Sequence, residues 1–207
     1  MVTFLKNAKK FLDLKNANEA YHALHYVGGR VYASSPQTLI WLEEGFDKRG
    51  SYDFMTGKKL DVRMPDFEMV IPQVGPRSCH ALFDPSTLVR LRAVLKGIVT
   101  IEGALLDVTS VRLDWFMIGL VIRVQTPTVV IEYKTGAATR DDNLRHNAAY
   151  VNARLFANMI DYFVQQRRTH VSLFAPLSES WQSPVLFYAA GTGGVLTQVC
   201  DETSRED

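Results

Sequence analysis

Apolar residues recur at helical spacing in three segments of the chain and gather in strand-like runs between them. The helical segments are residues 3–14, 85–96 and 153–166. Asp84 and Asn152 are suitable N-caps for the second and third helix, and Gly97 predicts the end of the second. Each helix combines an apolar face with a polar face, so each is expected to cover a sheet.

β-prone runs on both sides of Gly28-Gly29 predict a hairpin over residues 21–33, because glycine supplies the positive φ of a tight turn. Further strands are predicted at residues 38–43, three or four times within 98–134, and at 169–175, 184–189 and 195–199. Residues 45–59 are predicted to form an excursion and residues 137–147 a loop. The pattern is therefore a helix followed by strands, three times over, which predicts an α+β fold.

The segment MPDFEMVIPQ, residues 64–73, carries prolines near both ends and is followed by Gly75-Pro76. Proline disfavours helix in the residue before it, so this composition predicts a linker between structural units. The predicted division is a shortened N-terminal unit, residues 1–75, and a C-terminal domain of two units, residues 76–200. Residues 201–207 are predicted to be a disordered acidic tail.

Composition narrows the class of protein. The 207 residues are 47% hydrophobic, enough for a sizeable core, and the two cysteines, Cys79 and Cys200, show no pairing pattern. Neither a signal peptide nor a run of membrane-spanning length is present in the sequence, so a cytoplasmic protein without a membrane partner is expected.

The distribution of charge says more than its sum of +1. Residues 201–207 hold four acidic residues and one arginine, a net of −3, which leaves +4 for residues 1–200. Much of that positive charge falls on the predicted helices.

Three stretches resemble the bacterial DNA sliding clamps. VYASSPQTLIWLE, residues 31–43, stands where the bacterial clamps have a strand, an Ala-Thr-Asp-Gly-His-Arg-Leu turn and a second strand. MPDFEMVIPQ is similar to the Pro-Asp-Tyr-x-x-Val-Ile-Pro connector, and VNARLFANMIDYF with the later SPVLFY, residues 151–163 and 183–188, resembles the closing half of the last clamp domain. The stretches occur in the family's order over most of the chain.

The resemblance implies βαβββ units, with antiparallel sheets on the outside and helices on one inner face toward duplex DNA. Three units per chain are shorter than a bacterial clamp, so a closed ring would need more subunits than the usual dimer. Two departures concern the partner-peptide pocket of the family. Residues 34–38 read SSPQT in place of the family's turn, and VLTQVCDETSRED, residues 195–207, stands in place of its C-terminal Met-Pro-Met-Arg-Leu.

A clamp needs diffuse positive potential over the phosphate backbone and no reading of bases. The candidate DNA-binding residues on the three helical segments are Lys6, Lys9, Lys10, Arg90, Arg92, Lys96 and Arg154. The alternative is that they are ordinary solvated faces, since exposed lysine is the commonest surface residue. Clustering of these cations on one surface of the folded protein would favour a role in DNA binding.

The leading hypothesis is a non-catalytic, clamp-like processivity or tethering factor, of a kind encoded by a phage or mobile element. Its expected partners are double-stranded DNA, further copies of itself and a DNA polymerase or another replication or repair protein. A second hypothesis keeps the fold without the ring and gives a protein-binding module that interferes with a host clamp.

A third hypothesis is a metal-dependent nuclease. IEYKTGAATRDD, residues 131–142, is similar to the PD-(D/E)xK signature, in which acidic residues bind Mg²⁺ and a lysine orients water. Asp107, Glu132 and Lys134 would carry that chemistry, but alternating Glu and Lys are also normal on the wet face of a strand. His22, His25, Cys79 and His80 lack the spacing of a metal site and are predicted to be structural. No cofactor is expected.

Overall fold

The elements of the chain follow the predicted order of helices and strands. The computed structural model describes residues 1–74, 78–105, 110–116, 119–125, 130–140, 147–176 and 183–199. Its helices are α1 (Val2–Ala8), α2 (Phe67–Val70), α3 (Pro85–Leu105) and α4 (Ala153–Gln165), with a 3-10 turn at Glu19–His22. Its strands are β1 (Ala23–Val27), β2 (Gly29–Ser34), β3 (Thr38–Phe46), β4 (Gly50–Asp53), β5 (Lys59–Leu60), β6 (Ser78–Phe83), β7 (Ser110–Phe116), β8 (Gly119–Gln125), β9 (Val130–Lys134), β10 (Ala138–Arg140), β11 (Asn147–Asn152), β12 (Val171–Pro176), β13 (Val185–Ala189) and β14 (Thr192–Leu196).

The strands form two antiparallel sheets. The large sheet has the order β10-β6-β12-β13-β14-β3-β2-β1-β4-β5, and the small one β11-β7-β8-β9. Strand β6, which precedes α3, pairs with β12, whereas β11, which precedes α4, pairs with β7. The strands that precede α3 and α4 thus each pair with a strand that follows the other helix, which interlocks the two segments. Strands β1 to β5 join them through the pairing of β14 with β3.

The main core lies where the helices meet the inner faces of both sheets. Helices α1, α3 and α4 contribute Phe4, Leu91 and Phe156, and the small sheet contributes Trp115, all at most 1% exposed. A second cluster lies on the other face of the large sheet, where Phe67 of the connector packs with Tyr32, Leu39, Trp41, Leu186 and Val195. The predicted α+β arrangement, with sheets outside and helices on one face, is confirmed.

Two helix boundaries differ from the prediction. Helix α1 ends at Ala8 because Phe11 turns back into the core, its N–H bonded to the carbonyl of Ala8 at 2.9 Å. Helix α3 continues past Gly97 to Leu105, since Ile98 extends the buried stripe and an exposed interior glycine disfavours a helix by only about 1 kcal/mol. The strands predicted from residue 98 therefore begin only at Ser110. No helix in the described ranges is long and apolar enough to cross a membrane.

Other predicted boundaries are close to the observed ones. The hairpin turns at Gly28 and Gly29, both at positive φ, and Asn152 caps α4 by accepting the N–H of Leu155 at 3.0 Å. Two regions contain more structure than predicted, because β4 and β5 lie in the 45–59 excursion and at its end, and β10 lies in the 137–147 loop.

Two glycines of β14 allow it to pair with β3, a junction between strands that we call the seam. A Cβ on Gly193 would lie 2.0 Å from the Trp41 ring, on the face that carries the second cluster. A Cβ on Gly194 would lie 2.4 Å from the sulfur of Met159 on α4, on the opposite face. Strand β14 is therefore pressed between a tryptophan and a helix.

We expect Gly193→Ala to destabilise the fold by about 2 kcal/mol or more, because the indole cannot move without opening the second cluster. Gly97→Ala is the matched control, since a Cβ there meets nothing within 4 Å and should stabilise α3 by about 0.5–1 kcal/mol. Urea unfolding followed by circular dichroism measures both. Equal stability of Gly193→Ala and the parent would contradict the packing described for the seam.

Candidate nucleic-acid interface and partner pocket

The three long helical segments lie side by side in the order α1, α4, α3. Asp161 on α4 links them, because one of its carboxylate oxygens forms a salt bridge with Lys10 at 2.6 Å and the other forms one with Arg92 at 2.5 Å. Lys10 lies two residues after the end of α1, and Arg92 belongs to α3. One carboxylate therefore ties together the three segments that the sequence predicted on one face.

A wider set of hydrogen bonds supports this junction. Asn7 donates to Gln165 at 3.1 Å, and Gln165 donates to the same Asp161 oxygen that Lys10 contacts, at 2.7 Å. Burial opposes the charge on Asp161, but the bonds from Lys10 and the charge of Arg92 outweigh it and lower the pKa of the carboxyl. The side chain is 13% exposed, so Asp161 is a charged and largely buried link within the helical row, by which we mean α1 with the residues just after it, α4 and α3.

The candidate DNA-binding residues fall into two groups on this row. Lys10 and Arg92 are engaged with Asp161, so their charge is partly neutralised. The exposed members are Lys6 on α1, Lys9 just after it, Arg90 and Lys96 on α3, and Arg154 in the first turn of α4. The helical row thus presents exposed cations from all three segments.

Two arginines outside the predicted set lie near the start of α3. Arg167 and Arg168 follow α4 and line a depression with the first turn of α3, whose nearest residues are Pro85, Leu88 and Val89. Arg167 adopts a left-handed φ of 52°, which lets the chain turn directly after the helix. The adjacent pair of arginines at a predicted helix end was the signal that could have identified them.

A pocket of about 150 Å³ lies where three distant parts of the chain meet. The turn between β2 and β3 supplies residues 34–39, and the connector supplies Pro65, Phe67 and Val70. Val195 of the last strand and Thr197 just after it complete the lining. Two of the three stretches that resemble the clamps, together with the altered C-terminal segment, therefore line one cavity.

Local hydrogen bonds shape this pocket despite its unusual sequence. In the turn, Ser35 and Thr38 bond through their side chains and through the backbone, each at 2.8 Å. Thr197 then bonds through its N–H to the carbonyl of Gln37 at 3.0 Å, which holds the C-terminal segment against the turn. Phe67 is stacked on Tyr32 with ring centres 4.2 Å apart, and this fixes the connector as the third wall.

The residues of the nuclease hypothesis occupy an exposed strand. Glu132 on β9 pairs with Arg123 at 3.1 Å, and Lys134 is exposed two residues further on. Asp107 lies outside the described residues. Within the described ranges, no three of His, Cys, Asp and Glu are close enough together to hold a metal ion.

His25, predicted to be structural, is fully buried and bonds Ser51 and the carbonyl of Ala20, both at 2.8 Å. Burial lowers its pKa, so the ring is neutral where it joins β1 to β4. His22 bonds the carbonyl of Asn16 at 2.8 Å and points to the 13–18 turn.

Comparison with solved structures assigns the fold. A scan of protein-family models and a search of curated proteins found no match. The polymerase III β subunit of Caulobacter crescentus is similar with 15% identity and a TM-score of 0.72, covering 97% of this chain and 64% of that one. The β subunit of Streptococcus pyogenes DNA polymerase is similar with 10% identity and a TM-score of 0.72, covering 97% of this chain and 64% of that one. A Pseudomonas aeruginosa sliding clamp bound to griselimycin is similar with 14% identity and a TM-score of 0.71, covering 95% of this chain and 62% of that one.

The chain therefore has the fold of the DNA polymerase III β sliding clamps. It spans less than two thirds of the length of these clamps, and at 10–15% identity the likeness shows the fold alone.

Replacing the helical anchor by Asp161→Asn should destabilise the fold by about 2 kcal/mol at pH 7, because two charge-assisted contacts are lost. The pKa of Asp161 lies below its ordinary value of 3.8, so its contribution is complete above that value and disappears as pH falls through the lowered pKa. Urea unfolding at pH 7 and at pH 3 measures the difference, with the exposed Asp47→Asn as control. A difference that does not shrink at low pH would be inconsistent with the anchor.

Proposed function

We propose that the chain is a non-catalytic, clamp-like tethering factor that lies along duplex DNA through its helical row and holds a partner protein in its pocket. The observation that carries the proposal is the fastening of three cation-bearing helical segments, side by side, on one face of a clamp-fold sheet. A rigid row of this kind offers positive charge to a phosphate backbone without a reading of bases.

The exposed cations support backbone contact of a diffuse kind. Lys6, Lys9, Lys96 and Arg154 come from three different helical segments, so their charges are spread over the row. Each phosphate that these cations contact should make binding weaken further as salt is added. A factor of this kind would act in the cytoplasm, where the DNA is replicated.

The pocket supports the second half of the proposal. Its walls combine apolar side chains, among them Pro36, Val70 and Val195, with the hydroxyl groups of Ser35 and Thr38. Such a lining suits a short segment with apolar side chains, as a polymerase or a repair protein could present. Val70 is 46% exposed and so remains available to a partner.

The module that forms no ring and interferes with a host clamp remains a second candidate. The observation that favours it is the pocket, whose lining includes no residue of the helical row. Such a module would bind the same partner proteins through the pocket but would need no DNA on the helical row. The nuclease is the least supported candidate, since Glu132 is paired with Arg123.

Neutralising the row should weaken binding to a linear duplex and flatten its salt dependence. The variant replaces four exposed cations by glutamine, at Lys6, Lys9, Lys96 and Arg154. Each lost phosphate contact should lower the slope of log K against log salt by about 0.9. Fluorescence anisotropy measures this slope between 25 and 200 mM salt, roughly the range over which such contacts weaken.

The control removes the same charge from another part of the chain. It replaces Arg49, Lys58, Lys59 and Arg63, all exposed, by glutamine. An equal loss of affinity in both variants would show that only net charge matters and would refute the helical row as the DNA-facing surface.

A carboxylate in the pocket should weaken the binding of an apolar ligand. We expect Val70→Asp to weaken binding of griselimycin, the compound carried by the Pseudomonas aeruginosa clamp, by at least about tenfold, because an unpaired charge would be buried. Titration calorimetry gives the affinity. Val74→Asp is the control, since Val74 is similarly exposed at 47% and does not line the pocket. Unchanged affinity of Val70→Asp would remove this cavity from the proposal.

A further inference from the structure

A second cavity adjoins the pocket at the connector. It has a volume of about 350 Å³ and lies between the β1–β2 hairpin, which contributes Val27, Arg30 and Tyr32, and the connector, which contributes residues 64–68. We call it the hairpin cavity. Pro65 and Phe67 line both the hairpin cavity and the pocket, so the two spaces are neighbours that share a wall.

Ring stacking and a helix cap hold the shared wall in place. Phe67 is only 4% exposed, and its ring centre lies 4.2 Å from that of Tyr32 and 5.3 Å from that of His25. Asp66 caps the short helix α2 by accepting the N–H of Met69 at 3.4 Å. An occupant of both spaces must therefore pass over the connector, because the packed ring of Phe67 does not give way.

The two spaces differ in charge. Among the described residues, none that lines the pocket is charged, whereas Arg30, Asp66 and Glu68 line the hairpin cavity. Arg30 forms a salt bridge with Glu43 at 3.1 Å, which neutralises it. Asp66 and Glu68 are exposed, and neither forms a salt bridge with another residue in the described ranges. The hairpin cavity thus has an excess of two carboxylates beside an uncharged pocket.

Apolar surface around these carboxylates restricts the kind of cation that fits. Val27, 40% exposed, and Met64 line the same cavity. Met69 and Val70, which follow Glu68 in α2, are 84% and 46% exposed. Lysine and arginine lay an apolar stem along such a surface and keep the charged group at its rim, whereas the phosphates of DNA would be repelled by the carboxylates.

We infer that the partner segment held in the pocket crosses the connector and places a lysine or arginine side chain in the hairpin cavity, against Asp66 and Glu68. The inference rests on the proposed function and names the chemistry of its partner, an apolar segment with a basic residue on one flank. Because the two spaces share Pro65 and Phe67, an extended segment that advances about 3.3 Å per residue reaches both within a few positions. The carboxylates lie on one side of the pocket only, so they also fix the direction in which the segment runs.

Selection from a library of random peptides displayed on phage tests the partner chemistry. The library is first exposed to the Val70→Asp chain, which removes peptides that bind outside the pocket, and is then selected on the unchanged chain. The expected result is a set of peptides with lysine or arginine at one fixed spacing from the apolar residues. Apolar peptides without that basic residue overturn the inference and leave the pocket standing, whereas recovery of no peptide overturns both.

Neutral variants test where the basic residue binds. For a selected peptide, Asp66→Asn together with Glu68→Gln should raise the dissociation constant about fivefold at low salt, since each exposed charge pair contributes modestly. Asparagine caps a helix as well as aspartate does, so the connector keeps its fold. Asp47→Asn together with Asp61→Asn removes the same charge from exposed positions outside the cavity and should leave the affinity unchanged. Fluorescence anisotropy of the labelled peptide measures both, and equal effects of the two double variants overturn the inference.

Reversal of charge gives a readout that a loss of structure cannot imitate. Glu68→Lys should weaken binding of the basic peptide and strengthen binding of the same peptide with glutamate in place of its basic residue. If the relative affinities of the two peptides are the same for Glu68→Lys as for the unchanged chain, the inference is wrong. Griselimycin binding to Val70→Asp tests the pocket alone, so failure of the pocket and failure of the hairpin cavity are told apart.

Discussion

Backbone pairing between β14 and β3 is the contact on which the rest of the structure depends. It converts two separate strand groups into one ten-stranded sheet, and α4 secures it from the inner face. The hydroxyl of Tyr162 donates to the carbonyl of Trp41 at 3.1 Å, and Thr192 donates to the same carbonyl at 2.6 Å. Burial raises the pKa of Tyr162 to about 12, so the hydroxyl keeps the proton that it donates. Since the group is buried, its loss would leave unpaired polar atoms in the core.

The pairing of β14 with β3 determines where the helical row and the pocket lie. On the inner face it holds α4 beside α1, so that Asp161 can reach Lys10 and Arg92 and fix the helical row. Beyond the end of β14 it brings Thr197 against the turn between β2 and β3, which completes the pocket.

The local pattern of the sequence predicted the elements well, because hairpin, cap and amphipathic helix depend on neighbouring residues. The glycine turn at Gly28 and the cap at Asn152 show this. Contacts between distant residues were not predictable in the same way. The spacing of apolar residues places Asp161 in the third helix, but nothing in that spacing reveals its partners about 70 and 150 residues away. Gly97 predicts a helix end because local propensity takes no account of the burial of Ile98, which carries the helix onward.

The central claim is that the helical row, and not the outer faces of the sheets, meets duplex DNA. Lysine footprinting tests it directly, by measuring the rate at which each lysine is acetylated with and without a linear duplex. The account predicts that Lys6, Lys9 and Lys96 become protected while Lys59 and Lys134 react at unchanged rates. Protection of Lys59 and Lys134 with the helical lysines unaffected would contradict it.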